Sequence, residues 1–339
     1  MKKYFLPTAK TALVLIYLVI MAGALVRMTG SGMGCPDWPK CFGYYIPPTD
    51  VQELTWTPDR EFEKGQVIIK DEQLLVATSD FTTKNEFNPE NWREYTKHDY
   101  AIFNPTHTWI EYINRLAGAL AGLATLIMAI LSFGFKKVNK RIIWLSWLSV
   151  FLMGFQGWLG ATVVYSVLNP VKITLHMIVA LLIVALVIYI IRIASPQRKV
   201  FKRDKLFTSF VIVALILTMI QVITGTQVRQ FVDEQIKLLG YDRMSMILSE
   251  PTFNFYFHRT FSILVFVVNL FLYLRNRSLD IYHSKMNWVM AVLLVEIASG
   301  IAMYYFDFPF GSQAIHLFAA SILFGIQIYL IFERKTAIE

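Results

Sequence analysis

Charge is scarce in this chain of 339 residues. Asp, Glu, Lys and Arg make up 17% of it, against 55% hydrophobic residues; a soluble globular domain carries about 25% charged residues. That shortage excludes an ordinary water-soluble domain. Cysteine is scarcer still, at two residues, and histidine occurs six times. The first apolar run lacks a small-x-small cleavage site and seven more runs follow it, which excludes a cleaved signal peptide.

What the chain has in abundance is apolar runs of about 20 residues, the length that spans a hydrocarbon core roughly 30 Å thick. There are eight, at 11–28, 109–134, 142–164, 172–194, 206–227, 254–274, 286–306 and 312–332. The expected fold is therefore an all-α membrane protein of eight spans. The formal net charge is +8, yet the basic residues are placed for a membrane and not for nucleic acid. Lys2, Lys3 and Lys10 open the chain. Lys136, Lys137, Lys140 and Arg141 lie between spans two and three. Arg192, Arg198, Lys199, Lys202, Arg203 and Lys205 lie between four and five. Arg275, Arg277 and Lys285 lie between six and seven, and Arg334 and Lys335 close the chain. Every second connection is basic, so the positive-inside rule expects both termini in the cytoplasm.

An internal repeat divides the chain. "AGALVRM" with Arg27 closes span one, and "TGTQVRQ" with Arg229 closes span five. Asn114-Arg115 opens span two, and His258-Arg259 opens span six. Span four carries His176 and span eight His316. From Asn114 to His176 is 62 residues, and from His258 to His316 is 58. The expected organisation is two four-helix halves, 1–200 and 201–339, related by a pseudo-twofold axis along the membrane normal. The halves differ in one connection: Arg27 to Asn114 spans 87 residues, Arg229 to His258 only 29. The excess falls around residues 42–104, a polar segment with several Trp. It reads as a small folded excursion on the outer face, in which the alternating stretch "QVIIKDEQLLVATS" suits a hairpin. Cys35 and Cys41 precede it on the same side. Two readings stand for them: a disulfide, structural or redox-active, as an oxidising envelope compartment permits, or two unpaired thiols.

Ionisable residues inside spans are costly and point to function. His98 and His283 lie in polar loops, where solvation is expected, and His107 sits before span two, where an interfacial place fits better than a ligand role. His176, His258 and His316 lie inside spans, one to two turns from the outer end, hence at a common depth. A lone helical histidine can simply hydrogen-bond a neighbour, but three at one depth on repeat-related helices fit iron ligation better. His258 and His316 read as a bis-histidine haem site in the second half. Zinc fits less well, since a closed zinc site needs about four ligands. Arg27 and Arg115 suit the propionates of the substrate haem in the first half, and Arg229 and Arg259 those of the haem in the second; for the residues at helix ends, snorkelling to the interface fits nearly as well. Gly118, Gly122, Gly154, Gly157 and Gly160 either let helices pack closely or leave room for a flat macrocycle. Glu111 shares a helix face with Asn114 and Arg115, and the second half has Phe255 in its place. Glu111 either moves protons or stabilises positive charge, or it simply pairs with Arg115.

These residues resemble the haem A synthase family over nearly the whole chain. The resemblance rests on "VRMTGSGMGCPDWPKC", on "EYINR", on "GWLGATVVYS", and on the three histidines within spans. It implies a bacterial inner-membrane enzyme that oxidises the methyl group of haem O to the formyl group of haem A, by two hydroxylations and loss of water. It implies that His258 and His316 bind a resident haem b, that His176 faces the substrate haem, and that Glu111 is the family's essential acid. It implies that Cys35 and Cys41 are the outer-loop pair tied to redox chemistry or haem handling. It further implies, as partners, a haem O synthase and assembly factors of a haem-copper oxidase; the electron donor is not identified by the sequence.

Two departures stand out. The family pattern on the second span is Glu-x-x-His-Arg, and here the histidine is Asn114. Residues 228–253 hold no second cysteine pair. An amide oxygen is a poor iron ligand beside imidazole, so the first-half haem is expected to hang on His176 alone, with Asn114 and Glu111 on its other side. Two other functions compete with the enzyme. A di-haem b-type electron carrier wants four histidines within its spans and finds three, and has no need of Glu111. A transporter of parallel repeats wants broken helices and polar residues at the midplane.

Overall fold

The computed structural model describes residues 1–195, 204–278 and 284–333. Arg198, Lys199, Lys202, Arg203, His283, Arg334 and Lys335 lie outside the described residues, as does the expected boundary at 200/201. Among the described residues, eight helices are long and apolar enough to cross a membrane: α1 (Lys2–Met28), α2 (Pro105–Ser132), α3 (Lys140–Tyr165), α4 (Pro170–Ala194), α5 (Lys205–Leu239), α6 (Phe253–Ser278), α7 (Lys285–Tyr305) and α8 (Ser312–Glu333). The protein is an all-α, eight-span membrane protein.

Local sequence sets the helix starts. Asn104, Asn139, Asn169 and Asp204 stand at the N-caps of α2 to α5, and each side chain accepts a first-turn amide. Asn and Asp are preferred there because that amide has no partner within the helix. In Asn104-Pro105 and Asn169-Pro170 the proline takes the first helical position, where no N–H is missed. Helices overrun their apolar cores. α1 begins at Lys2 and so includes the basic residues that lead the first run. α5 runs on past residue 227 through the polar turns "QVRQFVDEQIKLL" and stops at Gly240, whose φ is 82°. The span length predicts only the apolar part of such a helix.

α1 packs against α2 and α4, and α3 against α2 and α4. α5 packs against α6 and α8, and α7 against α6 and α8. The two sets meet where α1 and α4 touch α8 and where α4 touches α5. The seam is apolar: Ile16 and Ile20 of α1, Val184 and Val187 of α4, and Phe324 and Ile328 of α8 are all buried in one cluster.

Between α1 and α2 the chain builds the excursion expected at 42–104. The anticipated hairpin is there: β2 (Val67–Lys70) pairs antiparallel with β3 (Gln73–Ala77), in register Val67↔Val76 and Lys70↔Gln73. Asp71 and Glu72 turn it, both at positive φ (52° and 60°), the handedness a two-residue hairpin needs. A third strand, β5 (Trp92–Glu94), joins β3, and a short pair links β1 (Glu61–Phe62) with β4 (Phe81–Thr82). Phe62, Ile68, Ala77 and Trp92 fill one small core. Cys35, Cys41, Phe42, Leu54, Val67, Leu74 and Val76 fill the other.

Candidate functional site

The excursion is anchored to α2 through the segment that leads into it. Cys35 and Cys41 form a disulfide with Cα atoms 4.8 Å apart, which decides between the two readings of the pair. Glu111 is 4% exposed. Its Oε2 accepts the Cys35 amide at 2.8 Å, and its Oε1 accepts Arg115 Nη2 at 2.5 Å. Arg115 also donates to the carbonyls of Asp37, Lys40 and Cys35 at 2.7, 2.9 and 3.1 Å. The pairing of Glu111 with Arg115 is therefore real, and it includes the disulfide loop. Asp37 sits inside that loop and accepts the amides of Phe42 and Gly43. Burial pushes its carboxyl above the usual range, against the pull of those amides and of Arg115. His98, read from sequence as a solvated loop residue, is part-buried and bonds the Pro36 carbonyl at 2.9 Å through Nε2.

In the second half, His258 on α6 and His316 on α8 line one cavity of about 510 Å³ between α5, α6, α7 and α8. Ligand pockets generally measure about 300–1,000 Å³. The ring centroids stand 6.3 Å apart, which leaves space for one metal bonded to each ring at about 2 Å, the usual imidazole–metal distance. The Nδ1 atoms are accounted for. Thr224 Oγ1 lies 3.2 Å from His258 Nδ1, and Ser299 Oγ lies 2.9 Å from His316 Nδ1. Both hydroxyls donate to helix carbonyls behind them, so toward the rings they accept. Each ring thus carries its hydrogen on Nδ1, and Nε2 keeps a lone pair. Gln221 Nε2 donates to the His258 carbonyl at 2.8 Å. A two-histidine haem site fits these donors and this space.

The first half departs from this pattern at the ring nitrogens. Repeat positions 202 apart on α1 and α5 and 140 apart on α3 and α7 put Ala22 where Thr224 stands and Leu159 where Ser299 stands. His176 Nδ1 and Asn114 Oδ1 are both buried with no hydrogen-bond partner among the described residues. Gln156 Nε2 donates to the His176 carbonyl at 2.8 Å instead. His107 sits seven residues before Asn114, about 10 Å along the helix at 1.5 Å per residue, so it does not replace the missing imidazole. A Cβ on Gly118, Gly122, Gly154 or Gly157 would meet nothing within 4 Å. These glycines face open space and not a neighbouring helix.

One glycine backs each ligand position: Gly23 at Asn114, Gly160 at His176, Gly225 at His258 and Gly300 at His316. The arginines divide otherwise than the repeat implies. Arg27 and Arg229 both pair with Asp233, at 3.1 and 2.7 Å, and both line the second cavity, as does Arg259. Arg27 reaches it because α1 packs on α8. Arg259 lies over the rings of Tyr256 and Tyr304. Sequence reasoning missed Thr224, Ser299 and Glu296; the repeat alignment could have found them as polar residues facing apolar or amide counterparts.

The sequence profile of cytochrome oxidase assembly proteins, COX15-CtaA, matches residues 9–97 and 79–328. Among similar proteins, the heme A synthase of Rickettsia prowazekii is 24% identical over 353 residues, covering 96% of each chain. That of Shouchella clausii is 24% identical over 331 residues, covering 93% of this chain and 92% of its own. That of Ehrlichia canis is 25% identical over 339 residues. With the profile running through both halves and the spans that carry Glu111 and the three histidines, this chain belongs to the COX15-CtaA family of cytochrome oxidase assembly proteins.

Proposed function

We propose that this chain is a haem A synthase, a membrane oxidoreductase that converts the methyl group of haem O to the formyl group of haem A. The name borne by its full-length relatives supports this. The observation that carries the assignment of roles is the inequality of the two repeat-related sites. His258 and His316 are both imidazoles, both fixed at Nδ1, on one cavity. Their first-half equivalents are His176 and Asn114, with Nδ1 and Oδ1 unbonded among the described residues.

The second half, 201–339, is the resident haem b half. His258 and His316 would hold the iron through Nε2, and Arg229, Arg259 and Arg27 would take the propionates, as guanidinium is a bidentate partner for carboxylates. Haem b, when bound, supplies an iron that accepts and passes on single electrons. The first half, 1–200, holds haem O. His176 alone ligates it, which leaves it exchangeable, as suits a substrate that must leave. Glu111 stands toward the reacting methyl, held there by Arg115 and the Cys35 amide, and moves the proton. Asn114 shares the helix face of Glu111, and Arg115 ties the disulfide loop to α2. The membrane is the bacterial inner membrane, with both termini cytoplasmic and both sites toward the outer face. The partners are a haem O synthase that delivers the substrate, oxidase assembly factors that receive the product, and an electron donor.

The test is extraction of pigment from cells that make haem O and this protein together. Haem A is the expected product. A haem-loaded, intact protein that leaves only haems B and O sinks the reading. His258→Ala and His316→Ala should each lower the resident haem b of the purified protein; full occupancy in either would overturn the ligand assignment.

A further inference from the structure

Glu296 is a carboxylate in an apolar span, on "LLVEIASG" of α7, with a side chain 14% exposed. A charge there is costly unless it works against a partner. Its partner is His316. Glu296 Oε2 lies 3.1 Å from His316 Nδ1, the Glu296 carbonyl lies 3.1 Å from the same nitrogen, and Ser299 Oγ lies at 2.9 Å. The Glu296 carbonyl can only accept and Ser299 Oγ gives its own hydrogen to the carbonyls behind it, so the nitrogen supplies the hydrogen, with Glu296 Oε2 at ion-pair distance. Glu296 is the only carboxylate among the described residues that line the cavity, beside Arg27, Arg229 and Arg259. Its other oxygen, Oε1, is buried with no hydrogen-bond partner among the described residues.

The repeat supplies a control within the chain. Gln156 occupies the equivalent position on α3, 140 residues earlier. Its amide turns to the His176 carbonyl and leaves His176 Nδ1 alone. The acidic residue and its contact with a ring nitrogen thus belong to the second half only.

We propose that Glu296 is the positioning residue of the second haem site. It receives the Nδ1–H of His316, fixes the ring with Nε2 toward the iron, and lowers the reduction potential of the haem bound there. This rests on His258 and His316 being the axial ligands of a resident haem. Two effects act in the same direction. A carboxylate on the far nitrogen makes the ligating nitrogen more basic. Electron density passed to the ring through that contact would also favour the ferric over the ferrous state of an iron held by His316. Haem at a lower potential more readily passes its electron on.

The test compares the haem-loaded wild type with Glu296→Gln and Glu296→Asp by anaerobic redox titration and by the electron paramagnetic resonance of the ferric state. Glu296→Gln is expected to keep a low-spin haem and raise its potential. At a fixed ambient potential, the ratio of oxidised to reduced haem should fall about tenfold, 59 mV for one electron. Glu296→Asp should shift the potential the same way by less. An unchanged potential and unchanged ferric spectrum in Glu296→Gln overturn the proposal. If Glu296→Gln fails to retain haem, Glu296→Asp decides by the same criterion: a raised potential supports the role and a wild-type potential overturns it. A wild type that holds no low-spin haem, or a His316→Ala variant with a wild-type haem spectrum, overturns the haem-site reading itself and not Glu296 alone.

Discussion

Glu111 and Cys35, 76 positions apart in sequence, are joined by one hydrogen bond: the Cys35 amide donates to Glu111 Oε2 at 2.8 Å. The acid of α2 and the disulfide loop are therefore a single unit, closed from the other side by Arg115. The carboxylate holds the loop whether or not it also moves a proton. The two roles separate when charge is removed and shape kept.

Glu111→Gln keeps the volume and one acceptor, so the Cys35 amide can remain bonded. If Glu111 moves protons, the yield of haem A relative to haem O should fall by about 10²–10⁴, the usual worth of a positioned acid or base. Resident haem b should be unchanged, because Glu111 lies in the other half. Chromatography of extracted haems measures both. A yield within a few fold of wild type would leave Glu111 as a loop anchor only.

Asp204 caps α5 and binds Arg275 of α6 at 2.5 and 3.2 Å. The hydrogen bond from Arg275, followed by the helix amides, holds its carboxyl below the usual range. An acid whose folded pKa is depressed stabilises the fold above its unfolded value, about 3.9, and loses that contribution as pH falls through the folded value. Asp204→Ala should loosen the start of α5 by about 1 kcal/mol at pH 7, the worth of an N-cap. Asp204→Asn, still a good cap, should cost less. Hydrogen exchange of the first α5 amides in detergent should show the gap between wild type and Asp204→Asn closing as pH falls below 4. A gap that widens would give the ion pair the wrong sign.

Much of this was legible in the sequence because one physical constraint governs each part. Backbone groups in hydrocarbon must bond within their own helix, so eight apolar runs announced eight spans. Alternation announced the β2–β3 hairpin. The repeat brought His176, His258, His316 and Asn114 into equivalent places. What remained hidden depends on which helices touch. Arg27 belongs to the first half by repeat, but α1 packs on α8, and the guanidinium opens into the second cavity. Glu296 is one acidic letter in an apolar helix until α7 and α8 bring it to His316. The Glu111–Cys35 bond needs the loop to fold back onto α2, which no local pattern in either segment encodes.

The glycines behind the histidines give the sharpest local test. A Cβ on Gly225 would stand 3.0 Å from His258 Cε1, closer than nearly all side-chain contacts, whereas one on Gly300 would stand 3.7 Å from His316 Cε1, an ordinary contact. Both substitutions to alanine favour the helix, by up to about 1 kcal/mol, so loss of helix cannot account for a defect. Gly225→Ala should push the His258 ring and lower the haem-to-protein ratio several-fold. Gly300→Ala should leave that ratio near wild type. Pyridine haemochrome spectra against protein concentration give the ratio directly. Equal occupancy in the two variants would show that His258 has room to retreat, and would argue that the ring does not need its present position to bind haem.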